Sequence, residues 1–261
     1  MNHILLTNDD GYQAHGIQTL YKHLKNLNYK VTMVAPRSER SAQSHAMSFY
    51  QSVQVEQISE DIYSCSGTPA DCVAIGLSHI LKDNPPDLVV SGINHGLNVG
   101  VDVNYSGTVG AATEGALMGF QAIAISMDRR NATEHEITEN FEKTAHILGK
   151  VLKNIHTIEW PKLHVLNINV PMKPKSISLA QCGGESLYIP HIEELPSAHQ
   201  KELKIYLIGG ISRHAPKDLS QDVSLVSSGL ATLSFLAARQ SSTENNINLE
   251  KMIGILNDGP L

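Results

Sequence analysis

"ILLTNDDG", residues 4–11, carries three apolar residues into two adjacent acids and a glycine. A short apolar run that stops at turn-forming residues reads as a buried strand with a loop at its carboxyl end. Side by side, Asp9 and Asp10 repel, so the folded chain must neutralise them. The same strand character recurs in "KVTMVAP" (30–36), "DLVVSG" (87–92), "AIAISM" (122–127) and "KLHVLNINV" (162–170). Between these runs lie helical patterns. "GIQTLYKHLKNLN" (16–28) spaces Ile17, Leu20, Leu24 and Leu27 along one face, and "ADCVAIGLSHIL" (70–81) is similar. "GTVGAATEGALMGF" (107–120) is a small-residue helix and "NFEKTAHILGKVLKNI" (140–155) a longer one. The alternation predicts a three-layer α/β/α, Rossmann-like fold with a largely parallel, doubly wound sheet.

Beyond Pro171 the rhythm changes to turn-rich segments with strand-like pieces, "ELKIYLIGG" (202–210) and "GLATLSFLA" (229–237). A single domain over residues 1–261 is expected, with its core to about residue 171 and an extension or hairpin excursion over 172–261. The polar stretch "QSSTENNINLE" (240–250) reads as an exposed connection before a last short helix.

Composition excludes several classes. With 261 residues, 41% of them hydrophobic, the chain can bury a substantial core. No apolar run reaches the roughly 18 residues needed to span a bilayer. The N-terminus lacks the pattern of a secretory signal, so a cytoplasmic protein is expected. Three cysteines without CxxC spacing argue against a disulfide framework or a zinc cluster. A net charge of −6 argues against a groove for large nucleic acids. The 13 histidines include no HExxH or HxH pair.

In an open parallel sheet, ligands bind outside the carboxyl ends of the strands, where residues far apart in sequence converge. Asp9 and Asp10 follow the first strand, Ser38, Ser41 and Ser44 lie after the second, and Asn94 follows the third. Carboxylates, a hydroxyl and an amide carbonyl form an all-oxygen set that suits Mg²⁺ or Mn²⁺ better than zinc. Taken alone, DDG is also an ordinary turn. In "NYSGTVGAATEG" (104–115), Ser106, Gly107 and Thr108 stand at a helix N-terminus. They either cap the helix or offer backbone amides to a phosphate. No Walker motif is present.

Five blocks, "ILLTNDDG", "APRSERS", "GTPADCV", "PDLVVSGINHGLNVG" and "YSGTVGAATEG", occur in order over roughly residues 1–130. They resemble the successive blocks of the SurE family of metal-dependent nucleoside monophosphate phosphatases. The resemblance implies one divalent cation per subunit, Mn²⁺ or Mg²⁺, held by Asp9, Asp10, Ser41 and Asn94. It places Asn98, Ser106, Gly107 and Thr108 around the substrate phosphate. It further implies hydrolysis of 5′- and 3′-nucleoside monophosphates, in some members also of short polyphosphate, by a homodimer or homotetramer that exchanges C-terminal hairpins and tails. Arg37 replaces the family's usual acid and Ala42 the glycine after the ligand serine. Leu230 stands where an aromatic residue is common, and Phe235 where proline is usual.

The expected chemistry is metal-assisted in-line hydrolysis in which Asp9 or Asp10 orients or deprotonates the water. Direct attack by Asp9, forming an aspartyl phosphate, is the alternative. His15 and His95 could assist proton transfer or merely pack. A nucleotide-binding regulatory module without hydrolysis, or an anion-donor transferase, are the other classes the sequence admits.

Overall fold

The run around Leu5 forms β1 (His3–Thr7), buried at every position. After it come α1 (His15–Asn26), β2 (Lys30–Pro36), β3 (Val55–Ser59), β4 (Ile62–Cys65), α2 (Pro69–Ile75), β5 (Leu88–His95), α3 (Gly107–Leu117), β6 (Gln121–Met127) and α4 (Glu134–Asn154). The remainder comprises β7 (His164–Val170), β8 (Ser176–Leu179), β9 (Tyr188–Leu195), β10 (Ile205–Ser212), α5 (Asp222–Ser227) and β11 (Leu230–Ala237). The computed structural model describes residues 2–157, 159–196, 204–212 and 220–238. The connection and helix predicted after residue 239 lie outside them.

Nine of the described strands form one sheet in the order β3-β4-β2-β1-β5-β6-β7-β11-β8. From β4 through β7 every pairing is parallel. Ile4 faces Val31 on one side and Leu88 on the other. Strand residues alternate between faces, so Ile4 and Leu6 join a core with Leu20 and Leu24 of α1 and Leu148 of α4. Leu5 points the other way, into a core with Val73 of α2 and Ala112 and Ala116 of α3. Helices thus cover both faces, as predicted. From β1 the chain turns to β2 on one side, and later to β5 on the other. This reversal opens a crevice between the carboxyl ends of β1 and β5.

Local chemistry explains where elements differ from expectation. The predicted helix 140–155 begins at Glu134, because Thr133 and Glu136 form a reciprocal capping box. The predicted helix 70–81 is α2 followed by a π-helical turn, Gly76–Ile80. β3 carries no apolar run and is exposed throughout, so its sequence gives no strand signal. At the far edge, β11 pairs antiparallel with β7 and parallel with β8, extending the main sheet. Trp160 braces β11 through an edge contact with Phe235, ring centroids 5.3 Å apart. β9 and β10 form a separate antiparallel ribbon. Cys65 and Cys72 are buried free thiols, and Cys182 is partly buried and also free. Among the described residues no helix is long and apolar enough to cross a membrane.

Candidate active site

A cleft of about 900 Å³ opens at the carboxyl ends of β1, β2, β5 and β6, and Asp9, Asp10, Ser41, Asn94, Asn98 and Ser106 all line it. Segments distant in sequence therefore meet where the strand reading placed them. The turn after β1 is braced from inside: Asn8 Nδ2 donates to the Gly11 carbonyl at 2.9 Å, and Gly11 takes φ +101°, a conformation natural to glycine. DDG is thus both a turn and the presentation of two acids.

Asp9 is only 4% exposed. Burial pushes its carboxyl above the usual carboxylate range, while the Thr108 hydroxyl and backbone N–H pull the other way. The Thr108 hydroxyl donates to Asp9 Oδ1 at 2.5 Å. Gly107 makes this approach possible, since a Cβ there would lie 2.8 Å from that of Asp9. The positive end of α3 is therefore aimed at Asp9. Asp10 is less enclosed; burial, then the charge of Asp9, pushes it up to about 7. The His95 backbone N–H donates weakly to Asp10 Oδ2, at 3.4 Å.

The loop after β2 is tied to β1 by the Arg40 N–H, which donates to the Asp9 carbonyl at 2.7 Å. Ser41 is exposed on that loop, and its hydroxyl donates to Glu39 Oε1 at 2.8 Å, which leaves the oxygen able to donate lone pairs elsewhere. Ala42 has φ +58°, the left-handed region. That accounts for the glycine usual at this point in the resembling family. Asn94 is carried into the cleft by an irregularity in β5, where the register with β6 shifts between Ser91 and Asn94. Its Nδ2 donates to the Gly96 carbonyl at 2.8 Å, leaving the side-chain oxygen as the group it offers.

The predicted phosphate residues divide. Ser106 caps α3, accepting from the Val109 N–H at 3.1 Å. Thr108 is wholly buried, and its side chain serves Asp9 rather than the open cleft. Asn98 lines the cleft within a buried polar lattice: its Nδ2 donates to Ser126 Oγ at 2.8 Å, and Asn167 and Asn169 each donate to its carbonyl at 2.9 Å. Sequence reasoning missed these two asparagines. Their signal was "NIN" inside an apolar strand, two amides at period two on one buried face. It also passed over Arg129, which follows β6 and lines the cleft, and Glu39, whose charge acts on both acids. Among the described residues no three His, Cys, Asp or Glu side chains gather as a metal cluster. The predicted ligand set contains only two residues of those types, and otherwise offers hydroxyl and amide oxygens.

Fold and site together define a doubly wound α/β protein with an acidic, oxygen-lined cleft at its switch point, beside a helix N-terminus. Comparison with known proteins gives this class a family. The model of the survival protein SurE family matches residues 4–187, and the chain belongs to that family. The 5′-nucleotidase SurE of Thermoanaerobacter sp. (strain X514) is 38% identical over 260 residues, covering 97% of this chain and 96% of that protein. That of Campylobacter jejuni subsp. jejuni (serotype O:23/36, strain 81-176) is 36% identical over 238 residues, covering 89% and 90%. The crystal structure of the SurE protein from Aquifex aeolicus superimposes with a TM-score of 0.79 at 32% identity, covering 98% of this chain and 99% of that one.

Proposed function

We propose that this protein is a phosphatase that hydrolyses nucleoside 5′- and 3′-monophosphates with one divalent cation, Mn²⁺ or Mg²⁺. The observation that carries the reading is the Asp9–Asp10 pair in the crevice between β1 and β5, with Asp9 held by the first turn of α3. The relatives named 5′-nucleotidase support the substrate class. The donor set fits a hard cation: two carboxylates lacking a cationic partner within 4.0 Å among the described residues, one pushed up to about 7, stand with the Ser41 hydroxyl and the Asn94 carbonyl. When bound, the cation supplies Lewis-acid stabilisation of charge on the phosphate.

The protein's own groups do the rest. Thr108 fixes the Asp9 carboxylate, and Asn98, itself locked by Asn167 and Asn169, forms the wall against which the phosphate rests. Asp10, the less buried acid, orients the attacking water and accepts its proton, which then passes to the departing nucleoside oxygen. The N-terminus of α3, whose Thr108 and Val109 N–H groups are turned to Asp9 and Ser106, adds the positive end of its dipole beside the phosphate. The exposed apolar side chains of the β9–β10 ribbon, Ile192 and Ile208 among them, support association into a homodimer or homotetramer.

The test is phosphate release from a panel of 5′- and 3′-nucleoside monophosphates and short polyphosphate, with Mn²⁺, Mg²⁺ or EDTA. Metal-dependent release from the nucleotides supports the reading. Nucleotide binding without release under any metal overturns it in favour of a binding module.

A further inference from the structure

β6 ends at Met127, and the two arginines that follow Asp128 have different fates. Arg130 folds back on its neighbour: Nε donates to Asp128 Oδ1 at 2.9 Å and Nη2 to Oδ2 at 2.8 Å, a bidentate pair away from the cleft. Arg129 turns the other way and lines the cleft, with its side chain exposed. No carboxylate of the described residues comes within 4.0 Å of its guanidinium. Its Nη1 lies 3.5 Å from a ring nitrogen, Nδ1 of His95.

Charge makes this placement consequential. The carboxylates Asp9, Asp10, Glu39, Asp102 and Glu134 line the cleft, and Arg129 is the one lysine or arginine among its described lining residues. A divalent cation on Asp9 and Asp10 leaves the charges of Glu39, Asp102 and Glu134, which still repel an entering phosphate dianion unless a further cation receives it. Guanidinium is the side chain whose planar fork matches two phosphate oxygens at once. The ring of His95 packs 5.7 Å from that of Phe141, tilted by 44°, with its Nδ1 toward the guanidinium. His95 and Phe141 place this group on the α1–α4 side of the cleft, whereas the N-terminus of α3 belongs to the other face of the sheet.

We infer that Arg129 binds the substrate's phosphate oxygens through its guanidinium, from the side of the cleft away from α3, and that His95 positions it. The inference rests on the phosphatase reading and adds to it a residue specific for the anion.

The experiment compares wild type, Arg129→Gln and Arg129→Lys by KM and kcat for adenosine 5′-monophosphate and by inhibition with inorganic phosphate. In the glutamine variant KM and the phosphate inhibition constant should both rise about tenfold, kcat should change less than about twofold, and lysine should restore part of the loss. His95→Asn should raise KM in wild type but add nothing to Arg129→Gln, because a positioning residue acts only through its partner. Unchanged KM and inhibition constant in Arg129→Gln would overturn the inference, as would a fall confined to kcat. If wild type releases no phosphate at all, the phosphatase reading fails by itself. Inorganic phosphate then decides Arg129 by thermal shift: stabilisation of wild type but not of Arg129→Gln upholds anion binding, and equal shifts refute it.

Discussion

Two regions face the same cleft and are built in opposite ways. At the carboxyl end of β1, Asp9 is held by more than one partner: it receives the Thr108 hydroxyl on its side chain and the Arg40 N–H on its carbonyl. The β9–β10 ribbon also reaches the cleft, through Pro190 and Ile208, yet Ile208 is 74% exposed and β10 pairs only with β9 among the described strands. Stiff sheet ends suit groups whose placement decides the rate, because small displacements there are costly. A ribbon outside the main sheet suits a wall that shapes entry and association. Substitutions of Asp9 and of the Thr108 that holds it should therefore change kcat, and substitutions on the ribbon KM and assembly.

The harshest test of that contrast is Asp9→Asn, which should cut metal-dependent phosphate release by at least about 10³-fold in a protein whose circular dichroism is unchanged. Substantial residual activity would break the contrast at its centre. Thr108→Val, nearly equal in volume, removes the donor from a buried carboxylate; kcat should fall about tenfold or more, and urea unfolding should show a loss of about 1–3 kcal/mol. Next, Mn²⁺ at about a hundred times its Kd should stabilise wild type by about 2.7 kcal/mol and leave the melting temperature of Asp9→Asn unmoved. Ala42→Gly relieves a left-handed backbone and should raise stability by about 0.5–1 kcal/mol in chemical denaturation, the sign being opposite to that of most glycine substitutions. The smallest effect belongs to the ribbon: Ile208→Ser should alter unfolding free energy by less than about 0.5 kcal/mol with kcat intact, while analytical ultracentrifugation reports any change in association.

Legibility in the sequence follows the same division. Asp9, Asp10 and Asn94 could be read because strand ends in a parallel sheet converge by topology alone, and topology followed from apolar runs. Which way a side chain turns at a helix start is set by tertiary contact, so the bond from the Thr108 hydroxyl to Asp9 was not legible in the segment itself. Asn167 and Asn169 escaped because an amide within an apolar strand gives no sign of what it bonds until the facing loop is placed. The Thr133–Glu136 capping box was legible in type and would have moved the start of α4 to its observed position. β3 was not, since an exposed edge strand has neither apolar alternation nor burial to betray it. Arg129 sits at a strand end like the acids, but which of two adjacent arginines faces the cleft depends on the Asp128–Arg130 pair.

The central place of β1 has a consequence for how the molecule is made. Its one neighbour, β2, is synthesised soon after it, but the other edge is filled only by β5, residues 88–95. On the ribosome the first strand therefore waits with an apolar, unpaired edge while α1 through α2 emerge, a natural substrate for holdase chaperones. A product truncated before residue 88 would keep both acids of the cleft and still be an aggregation hazard rather than a weak enzyme.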